Sequence, residues 1–571
     1  MYPMGKYRKT AWIFLPLVSL AIVSFLAETG MGQTYSYTPY LKPRALTRPI
    51  PVVSGRNGVV AASTAVAPSI GLKVLMDGGN AVDAAVTTAA MLTVHEFSMC
   101  GIGGHGIMML YVAKTGEVKC LDWGGFLPRK FTIDQWGTPP TPPMERNPLC
   151  TILPGTLAGW SEALNKHGTI SLAKALEPAI KYAEEGIAVT PREIFIMERF
   201  SDLIELFPEA SRIWMPQGRI PKIGETLKFT DLANTYRRIA KEGPDVYYKG
   251  ELADKIVKYL NENGSRFTKE EFANYKPIWR DTLNTIYRGQ YKIFTPKNQN
   301  FSPVILTMFN IWENFDMKKL GLLTPEEIHL VIEAQKIAFA DRSSYYGDPD
   351  FTKVPYEILT SKAYGKRMAE RIDMRKASPE VPGDLKGLEG ATTNLAVVDK
   401  EGNVCFITQT LGAAFGSMHI VPGTGVTLNN EGKYFDLKPA HGPNYPAGGK
   451  RVENQMGASI ITKDGKFWAG MGTSGGTRIP LDIASGLMRM IDHNLRIQEA
   501  IEVPRVTYVG NGIAQIERGV QWQDLEKLWQ MGHKIQVPLT VCPLSGIKID
   551  PETGAFEGGA DPDANFTRVA Y

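Results

Sequence analysis

Residues 390–399 read Gly390-Ala391-Thr392-Thr393-Asn394-Leu395-Ala396-Val397-Val398-Asp399, and this stretch determines how the rest of the chain is interpreted. Its apolar second half is followed by a Lys-Glu-Gly-Asn turn and then by a second apolar, β-branched run, 404–408. This pattern predicts a β-hairpin with two threonines at its leading end. In an intact chain these threonines are ordinary strand residues. If the chain were cut before Thr392, that residue would carry both a hydroxyl nucleophile and an α-amine, which titrates near pH ~8 and can act as a general base.

Several further motifs follow this hairpin in a fixed order. They are Gly402-Asn403, Thr408-Gln409-Thr410, Phe415-Gly416-Ser417, Pro422-Gly423-Thr424-Gly425, Leu428-Asn429-Asn430-Glu431 and Gly472-Thr473-Ser474-Gly475-Gly476-Thr477-Arg478-Ile479. Upstream lie residues 77–86 and the loop Gly101-Ile102-Gly103-Gly104. Together, over roughly residues 55–571, they resemble the γ-glutamyltransferase family of N-terminal-nucleophile hydrolases. The resemblance implies an α/β fold, the four-layer αββα sandwich of these hydrolases, and a reaction without cofactor or metal.

The resemblance also implies a catalytic set. Thr392 would be the nucleophile for cleavage of the Ala391–Thr392 bond and afterwards for attack on an amide substrate. Thr410 matches the threonine whose hydroxyl orients the nucleophile, although a strand threonine that bonds to backbone is the alternative interpretation. Gly475 and Gly476 match the pair whose N–H groups receive the oxyanion, and the loss of one such donor typically costs roughly 3–4 kcal/mol.

The positions that hold the glutamyl group in this family differ in this sequence. The family's arginine aligns with Gly124, which has no side chain to pair with a carboxylate, and Arg129 is the nearby cation that could replace it. Glu431 keeps the acid that meets the α-amine. The remaining expected substrate positions are Tyr434 in place of a second acid, Asn394 in place of a histidine, and Asn454 and Gln455 in place of a serine pair.

These differences predict a self-cleaving amidohydrolase or acyltransferase whose acyl group is not a standard γ-glutamyl group. Its substrate would be a small-molecule or peptide-like amide. A zwitterion needs both of its charges paired in a closed pocket, so we expect poor activity on glutathione. The segment 433–451 is shorter than the family's usual lid, which favours access of water. The alternatives are a true γ-glutamyltransferase with a rearranged pocket and an inactive, ligand-binding homologue.

Composition restricts the class further. The chain has 571 residues, 21% charged residues and a formal net charge of +4, which gives no reason to expect nucleic acid as a partner. Its five cysteines are irregularly spaced and predict buried thiols rather than a disulfide framework.

Residues 1–32 have the pattern of a signal peptide, with a basic start, an apolar run and small residues before Gln33. An uncleaved membrane anchor is the alternative. We therefore expect a periplasmic or secreted protein made of a large fragment, 33–391, and a small fragment, 392–571, which form one intertwined domain. No membrane contact is expected after the signal is removed.

Periodicity predicts the main elements on either side of Thr392. An extended leader at 33–54 and a proline-rich loop at 138–158 are expected, with order beginning near Gly58. The expected helices lie at 69–76, 81–94, 253–260, 324–341, 479–491 and 523–531. The expected strands lie at 106–112, 118–123, 458–462, 466–471, 512–517 and 547–549.

Overall fold

The computed structural model describes residues 51–137, 146–379, 390–538, 542–550, 552–562 and 566–571. The predicted signal peptide and most of the leader lie outside these residues, as do residues 380–389 before the hairpin.

The strands of the described residues lie on both sides of Ala391–Thr392 in the chain. They are β1 (Val53–Gly55), β2 (Gly58–Ser63), β3 (His105–Val112), β4 (Glu117–Asp122), β5 (Ile187–Ala188), β6 (Thr226–Leu227), β7 (Ile278–Arg280), β8 (Thr282–Tyr287), β9 (Tyr291–Pro296), β10 (Gly390–Asp399), β11 (Val404–Ala413), β12 (Ile420–Val421), β13 (Val426–Thr427), β14 (Ala458–Lys463), β15 (Lys466–Thr473), β16 (Val506–Gly510), β17 (Ile513–Ile516), β18 (Lys534–Gln536), β19 (Leu544–Ile549), β20 (Phe556–Ala560) and β21 (Phe566–Ala570).

Fourteen of these strands form two antiparallel seven-stranded sheets. Sheet 1 has the order β21-β2-β10-β11-β3-β4-β7, and sheet 2 has the order β1-β20-β19-β15-β14-β9-β8. In both sheets, strands that precede Thr392 pair with strands that follow it. The predicted hairpin is the centre of sheet 1, where β10 pairs with β11 on one side and β2 on the other.

Helices cover the outer faces of the two sheets. They are α1 (Val66–Met76), α2 (Ala81–His95), α3 (Thr156–His167), α4 (Leu172–Glu185), α5 (Pro191–Arg199), α6 (Ser201–Glu205), α7 (Pro208–Trp214), α8 (Thr230–Glu242), α9 (Asp245–Tyr248), α10 (Glu251–Glu262), α11 (Lys269–Ala273), α12 (Val304–Trp312), α13 (Met317–Leu320), α14 (Pro325–Tyr345), α15 (Tyr356–Leu359), α16 (Lys362–Ala369), α17 (Ile479–Asp492), α18 (Ile497–Glu502) and α19 (Trp522–Gln530).

Alternation along β10 shows how the layers form. Leu395 and Val397 pack against helices such as α2, whereas Ala396 and Val398 pack against sheet 2. A third hydrophobic cluster joins the other face of sheet 2 to α12, α14 and α17. Three apolar interfaces thus separate four layers, and the expected αββα sandwich is confirmed.

Local signals explain why the element predictions near the site succeeded. Asn80 caps α2 by accepting from the amides of Val82 and Asp83 at 2.9 and 3.1 Å, and the Asp83 carboxylate accepts from the Asn80 amide. Every residue of α2 is buried, as its small apolar composition predicts. Thr324 caps α14 in the same way, through the amide of Glu327 at 3.2 Å.

Two expectations about the first 160 residues were wrong. Strand structure begins at Val53 rather than near Gly58, because β1 pairs with β20 in a contact that the local sequence does not encode. The predicted loop 138–158 contains the start of α3 at Thr156, and residues 138–145 lie outside the described part.

All five cysteines lie in the described residues and are buried, as predicted, and no disulfide joins them there. Within the described ranges, no helix combines the length and the apolar character needed to cross a bilayer.

Candidate active site

The predicted nucleophile lies at one edge of the gap between the two sheets. Cα pairing runs from Thr392 to Thr410 and from Thr410 to His105, so the start of β10, the end of β11 and the start of β3 share this edge. The end of β4 joins them, because the amide of Trp123 donates to the Gly106 carbonyl at 3.1 Å. Thr392 is 6% exposed, and its side of the strand is the one that faces sheet 2.

The Thr410 hydroxyl contacts the predicted scissile bond directly. Its Oγ1 donates to the Ala391 carbonyl at 2.5 Å and accepts from the Gly412 amide at 2.7 Å. The strand register shifts between Ala391 and Thr392, so that Leu411 is the extra residue of a β-bulge at this point. A donor to the Ala391 carbonyl polarises the carbon that the Thr392 hydroxyl would attack.

The second threonine of the pair faces the opposite side of β10. Thr393 is fully buried, and its Oγ1 donates to the Glu96 carboxylate at 2.5 Å. Glu96 in turn forms an ion pair with Arg192. Thr393 therefore contacts the helical layer, whereas Thr392 lies on the side of β10 that faces sheet 2.

The predicted oxyanion glycines approach Thr392 from sheet 2. Gly475 and Gly476 follow β15, and the 3₁₀ turn Gly476–Arg478 contacts β10 before α17 begins. Both glycines have positive φ, at 131° and 67°, and a Cβ on Gly475 would lie 2.1 Å from the Cys542 sulfur. Among the described residues, neither backbone amide donates a hydrogen bond to the protein. This leaves two N–H groups available beside the start of β10.

Glu431 lies close to the threonines. Its Oε1 is 2.9 Å from Nε2 of His105, and both side chains are buried. A Cβ on Gly412 would lie 3.3 Å from the same oxygen, so Glu431 lies beside the β-bulge. His105 was not predicted as a site residue, although it directly follows the glycine loop at 101–104.

Gly124 and Gln299 meet at the β4 end of the gap. The Gly124 amide donates to Oδ1 of Asp122 at 2.8 Å, and a Cβ on Gly124 would lie 2.3 Å from Nε2 of Gln299. Arg129 is exposed, with its guanidinium 5.4 Å from the centre of the Phe126 ring. Gln299 was missed by the sequence analysis, because nothing in the stretch around it resembles a site motif.

The remaining predicted positions differ in what they contact. The amide of Asn394 is engaged between the sheets, with Oδ1 accepting from Ser545 at 2.5 Å and Nδ2 donating to the Pro543 carbonyl at 3.3 Å. Tyr434 packs in a cluster with Leu127 and Trp136. Asn454 and Gln455 are buried just before β14. A role in substrate binding stays a prediction for each of them.

Two seven-stranded sheets between helical layers, with a threonine at the edge of the central hairpin, are the features of an N-terminal-nucleophile hydrolase. The Gamma-glutamyltranspeptidase family model matches residues 67–570, and the chain belongs to that family.

The chain is 35% identical to the Glutathione hydrolase proenzyme of Escherichia coli (strain K12), over 89% of this chain and 91% of that protein. It is 34% identical to the Acylase ACY 1 proenzyme of Pseudomonas sp. (strain SE83), over 90% of this chain and 94% of the relative. The crystal structure of cephalosporin acylase from Bacillus halodurans superimposes with a TM-score of 0.86 at 30% identity, covering 93% of this chain and 99% of the other. The chain is accordingly an enzyme of the hydrolase and acyltransferase type.

Proposed function

We propose that this protein is a self-cleaving acylase that hydrolyses an amide through an acyl ester on Thr392. The single observation that carries the proposal is the hydrogen bond from Thr410 to the Ala391 carbonyl at 2.5 Å, beside a threonine at the bulged edge of β10. Two relatives named above carry the word proenzyme, which supports the maturation step.

Maturation and turnover use the same atoms. In the precursor, Oγ1 of Thr392 adds to the Ala391 carbonyl, the C–N bond breaks, and an ester and a free Thr392 amine form. Water hydrolyses the ester and leaves residue 391 as a carboxylate. In turnover, the Thr392 amine accepts the hydroxyl proton as Oγ1 attacks the substrate amide, and it returns that proton to the departing amine. Water then releases the acyl group as an acid.

The oxyanion of the tetrahedral intermediate formed on the substrate amide would be held by the amides of Gly475 and Gly476, whereas the Ala391 carbonyl oxygen in the precursor already accepts from Thr410. Their positive φ values and the proximity of Cys542 allow only glycine at the first position without rearrangement. Fixed backbone donors need no reorganisation as charge develops, which makes such a site effective.

The acyl specificity follows from the surroundings of Gly124. A Cβ at position 124, which would carry the glutamyl-binding arginine, would lie 2.3 Å from Nε2 of Gln299, so an arginine there has no room unless Gln299 moves. Glu431, which would pair with the α-amine, lies 2.9 Å from the His105 imidazole, and this ring crowds the carboxylate without the angle of a hydrogen bond. We infer that a γ-glutamyl zwitterion binds weakly and that acyl groups without it are preferred.

The second candidate is a glutathione hydrolase or γ-glutamyltransferase. The identity to the Escherichia coli glutathione hydrolase and the retained Glu431 favour it.

In either case we expect the protein to be exported, with a mature start near Gln33. N-terminal sequencing of the secreted or periplasmic fraction tests this expectation.

The maturation step is tested with Thr392→Ala. We expect this variant to stay a single chain and to lack amidase activity, whereas Thr393→Ser is cleaved, because the hydroxyl of residue 393 faces Glu96 instead. The fragment masses are measured by mass spectrometry. Cleavage of Thr392→Ala at the same bond, or an intact wild-type chain in folded preparations, would contradict the proposal.

The acyl preference is tested with four p-nitroanilides that differ only in charged groups: γ-glutamyl, glutaryl, 4-aminobutanoyl and butanoyl. We expect the γ-glutamyl anilide to have the lowest kcat/KM, by about tenfold or more, since each unpaired charge loses about 1.5–3 kcal/mol. A γ-glutamyl anilide that is the best substrate, with glycylglycine raising the rate, supports the second candidate instead.

A further inference from the structure

The two walls of the gap between the sheets run in the same direction away from Thr392. The sheet 1 wall passes from β10 through β11 and β3 to the end of β4, and the sheet 2 wall passes from β15 through β14 to the end of β9. Contacts across the gap keep this order, with β10 against β15, β3 against β14 and β4 against β8. We call the edge of this gap between Thr392 and Gln299 the acyl slot.

Gln299 forms the far end of the acyl slot. It is 1% exposed and follows β9, and its Nε2 occupies the space into which a side chain at position 124 would project. Adjacent strands lie about 4.8 Å apart, so the end of β4 is roughly 14 Å from Thr392. An acyl group on Thr392 must therefore be several carbons long to reach this end.

The orientation of the Gln299 amide is determined by its neighbour. Nε2 donates to Oδ1 of Asp122 at 3.3 Å, and the Gly124 amide donates to the same oxygen at 2.8 Å, so this oxygen is an acceptor and the Gln299 nitrogen must face it. Oε1 consequently faces away from Asp122 as an acceptor. Arg280 lies 3.5 Å from the other Asp122 oxygen and balances its charge.

Several buried polar atoms around the acyl slot lack hydrogen-bond partners among the described residues, and they include Oε1 of Gln299, an acceptor, and Nε2 of Gln455, a donor. Nε1 of Trp123, Oδ2 of Asp122 and two guanidinium nitrogens of Arg280 belong to the same group. A buried polar group without a hydrogen bond lowers stability by roughly 1–3 kcal/mol. Unpartnered buried atoms are therefore rare unless a ligand or a water molecule bonds to them. Gln455 precedes β14 and so lies between the two ends of the slot.

We propose that Gln299 is a specificity-determining residue that accepts a hydrogen bond from the far end of the acyl group. The substrate class is then an amide whose acyl chain ends in a neutral donor, a hydroxyl or an amide N–H. A terminal carboxylate would face the Oε1 acceptor of Gln299, and we expect it to bind less well than a neutral donor because Arg280, the nearby cation, already lies against Asp122. This inference rests on the proposed function, since it requires the acyl group to be attached to Thr392.

The test compares 5-hydroxypentanoyl-p-nitroanilide with hexanoyl-p-nitroanilide, in which a methyl group replaces the hydroxyl, and with glutaryl-p-nitroanilide. In processed wild-type enzyme we expect kcat/KM for the hydroxy substrate to exceed that for the hexanoyl substrate by about tenfold. In Gln299→Met the side chain keeps its length and loses its acceptor, and the ratio should fall to about one. The ratio does not depend on how much of each preparation is folded.

Gly124→Ala provides a second, independent variant. Its Cβ would displace the Gln299 amide without changing residue 299, so the ratio should fall in the same direction. Gln523→Met, an exposed change on α19, is the matched control and should keep the wild-type ratio.

Different results would contradict the role of Gln299 and the proposed acylase function. A hydroxy preference that survives Gln299→Met, or a glutaryl anilide that is the best of the three in the wild type, overturns this inference and leaves the proposed function in place. Failure of processed wild type to hydrolyse any of the three anilides overturns the proposed function and this inference with it.

Discussion

At the scale of single residues, the side chain that would prepare the chain for cleavage under the proposed mechanism is Thr410. Its hydroxyl is fixed at both ends, since Oγ1 accepts from the Gly412 amide and donates to the Ala391 carbonyl. Because this hydroxyl both donates and accepts a hydrogen bond, it cannot rotate away from the Ala391 carbonyl without breaking one of them. If cleavage proceeds as proposed, this hydroxyl is already oriented towards the Ala391 carbonyl before Thr392 attacks.

We expect Thr410→Val to slow cleavage of the precursor by about tenfold or more. Valine has the same shape as threonine and removes the donor to the Ala391 carbonyl, which leaves that buried acceptor unpaired. Thr410→Ser keeps the hydroxyl and should be cleaved at close to the wild-type rate. The measurement is the time course of fragment appearance on denaturing gels, and equal rates for valine and wild type would rule out this role.

At the scale of secondary-structure elements, a buried polar cluster holds the segment that precedes the cleavage site. Nε2 of His329, on α14, bonds to the Asp373 carbonyl at 3.0 Å, and Nδ1 lies 2.8 Å from Nε2 of His533. Lys336 pairs with Glu333 at 2.9 Å and also donates to the Ser378 carbonyl at 3.1 Å. These contacts attach residues 373–378 to α14 and attach α14 to the turn after α19, and the Ala377 amide also donates to the Met531 carbonyl of that turn at 2.7 Å.

This cluster predicts a loss of stability in acid. Burial, with smaller contributions from His329 and Lys336, lowers the pKa of His533 to about 3, and burial also lowers the pKa of His329. An unfolded histidine titrates near pH ~6.5, so the stabilisation is complete above that pH and is lost as the pH falls towards 3. At pH 5 the loss would be about 2 kcal/mol for one histidine.

Thermal unfolding midpoints at pH 7.5 and pH 5.0 provide the measurement. The unfolding midpoint of His533→Gln should fall less between these two pH values than the unfolding midpoint of the wild type. The exposed His441 offers a control, since His441→Gln should retain the wild-type pH dependence. An identical decrease in all three proteins would show that the cluster does not contribute.

The elements that the sequence predicted correctly are those with signals of their own. The hairpin at 390–408 has a turn between two β-branched runs, and α14 has a capping threonine followed by a proline. The pairing of β2 with β10 joins residues more than 300 positions apart, and no local pattern encodes it. The same limit explains Gln299, whose position opposite Gly124 exists only when the ends of β4 and β9 meet.

At the scale of the whole molecule, the two expected fragments share both sheets. In sheet 1 the fragment 33–391 contributes β2, β3, β4 and β7, and the fragment 392–571 contributes β11 and β21, together with nearly all of β10. The two sets alternate within the sheet, so separating the fragments would break strand pairing along several edges.

We therefore expect the cleaved protein to elute from a sizing column as one species that contains both fragments. The fragments should separate only in denaturant, because the strand pairs and the three apolar interfaces hold them together independently of the peptide bond. Denaturing gels of the eluted peak provide the measurement. Elution of the fragments at different volumes under native conditions would contradict this prediction.

The contact between Thr410 and Ala391 links the folding of each molecule to its activation. The two residues meet only after β10 and β11 have paired, and Thr392 acquires its amine only if the bond beside that contact breaks. A copy that fails to assemble its central sheet would never gain the group that makes it active. Under the proposed mechanism, only a molecule that has assembled its central sheet can cleave its own backbone. Misassembled molecules therefore stay uncleaved and inactive.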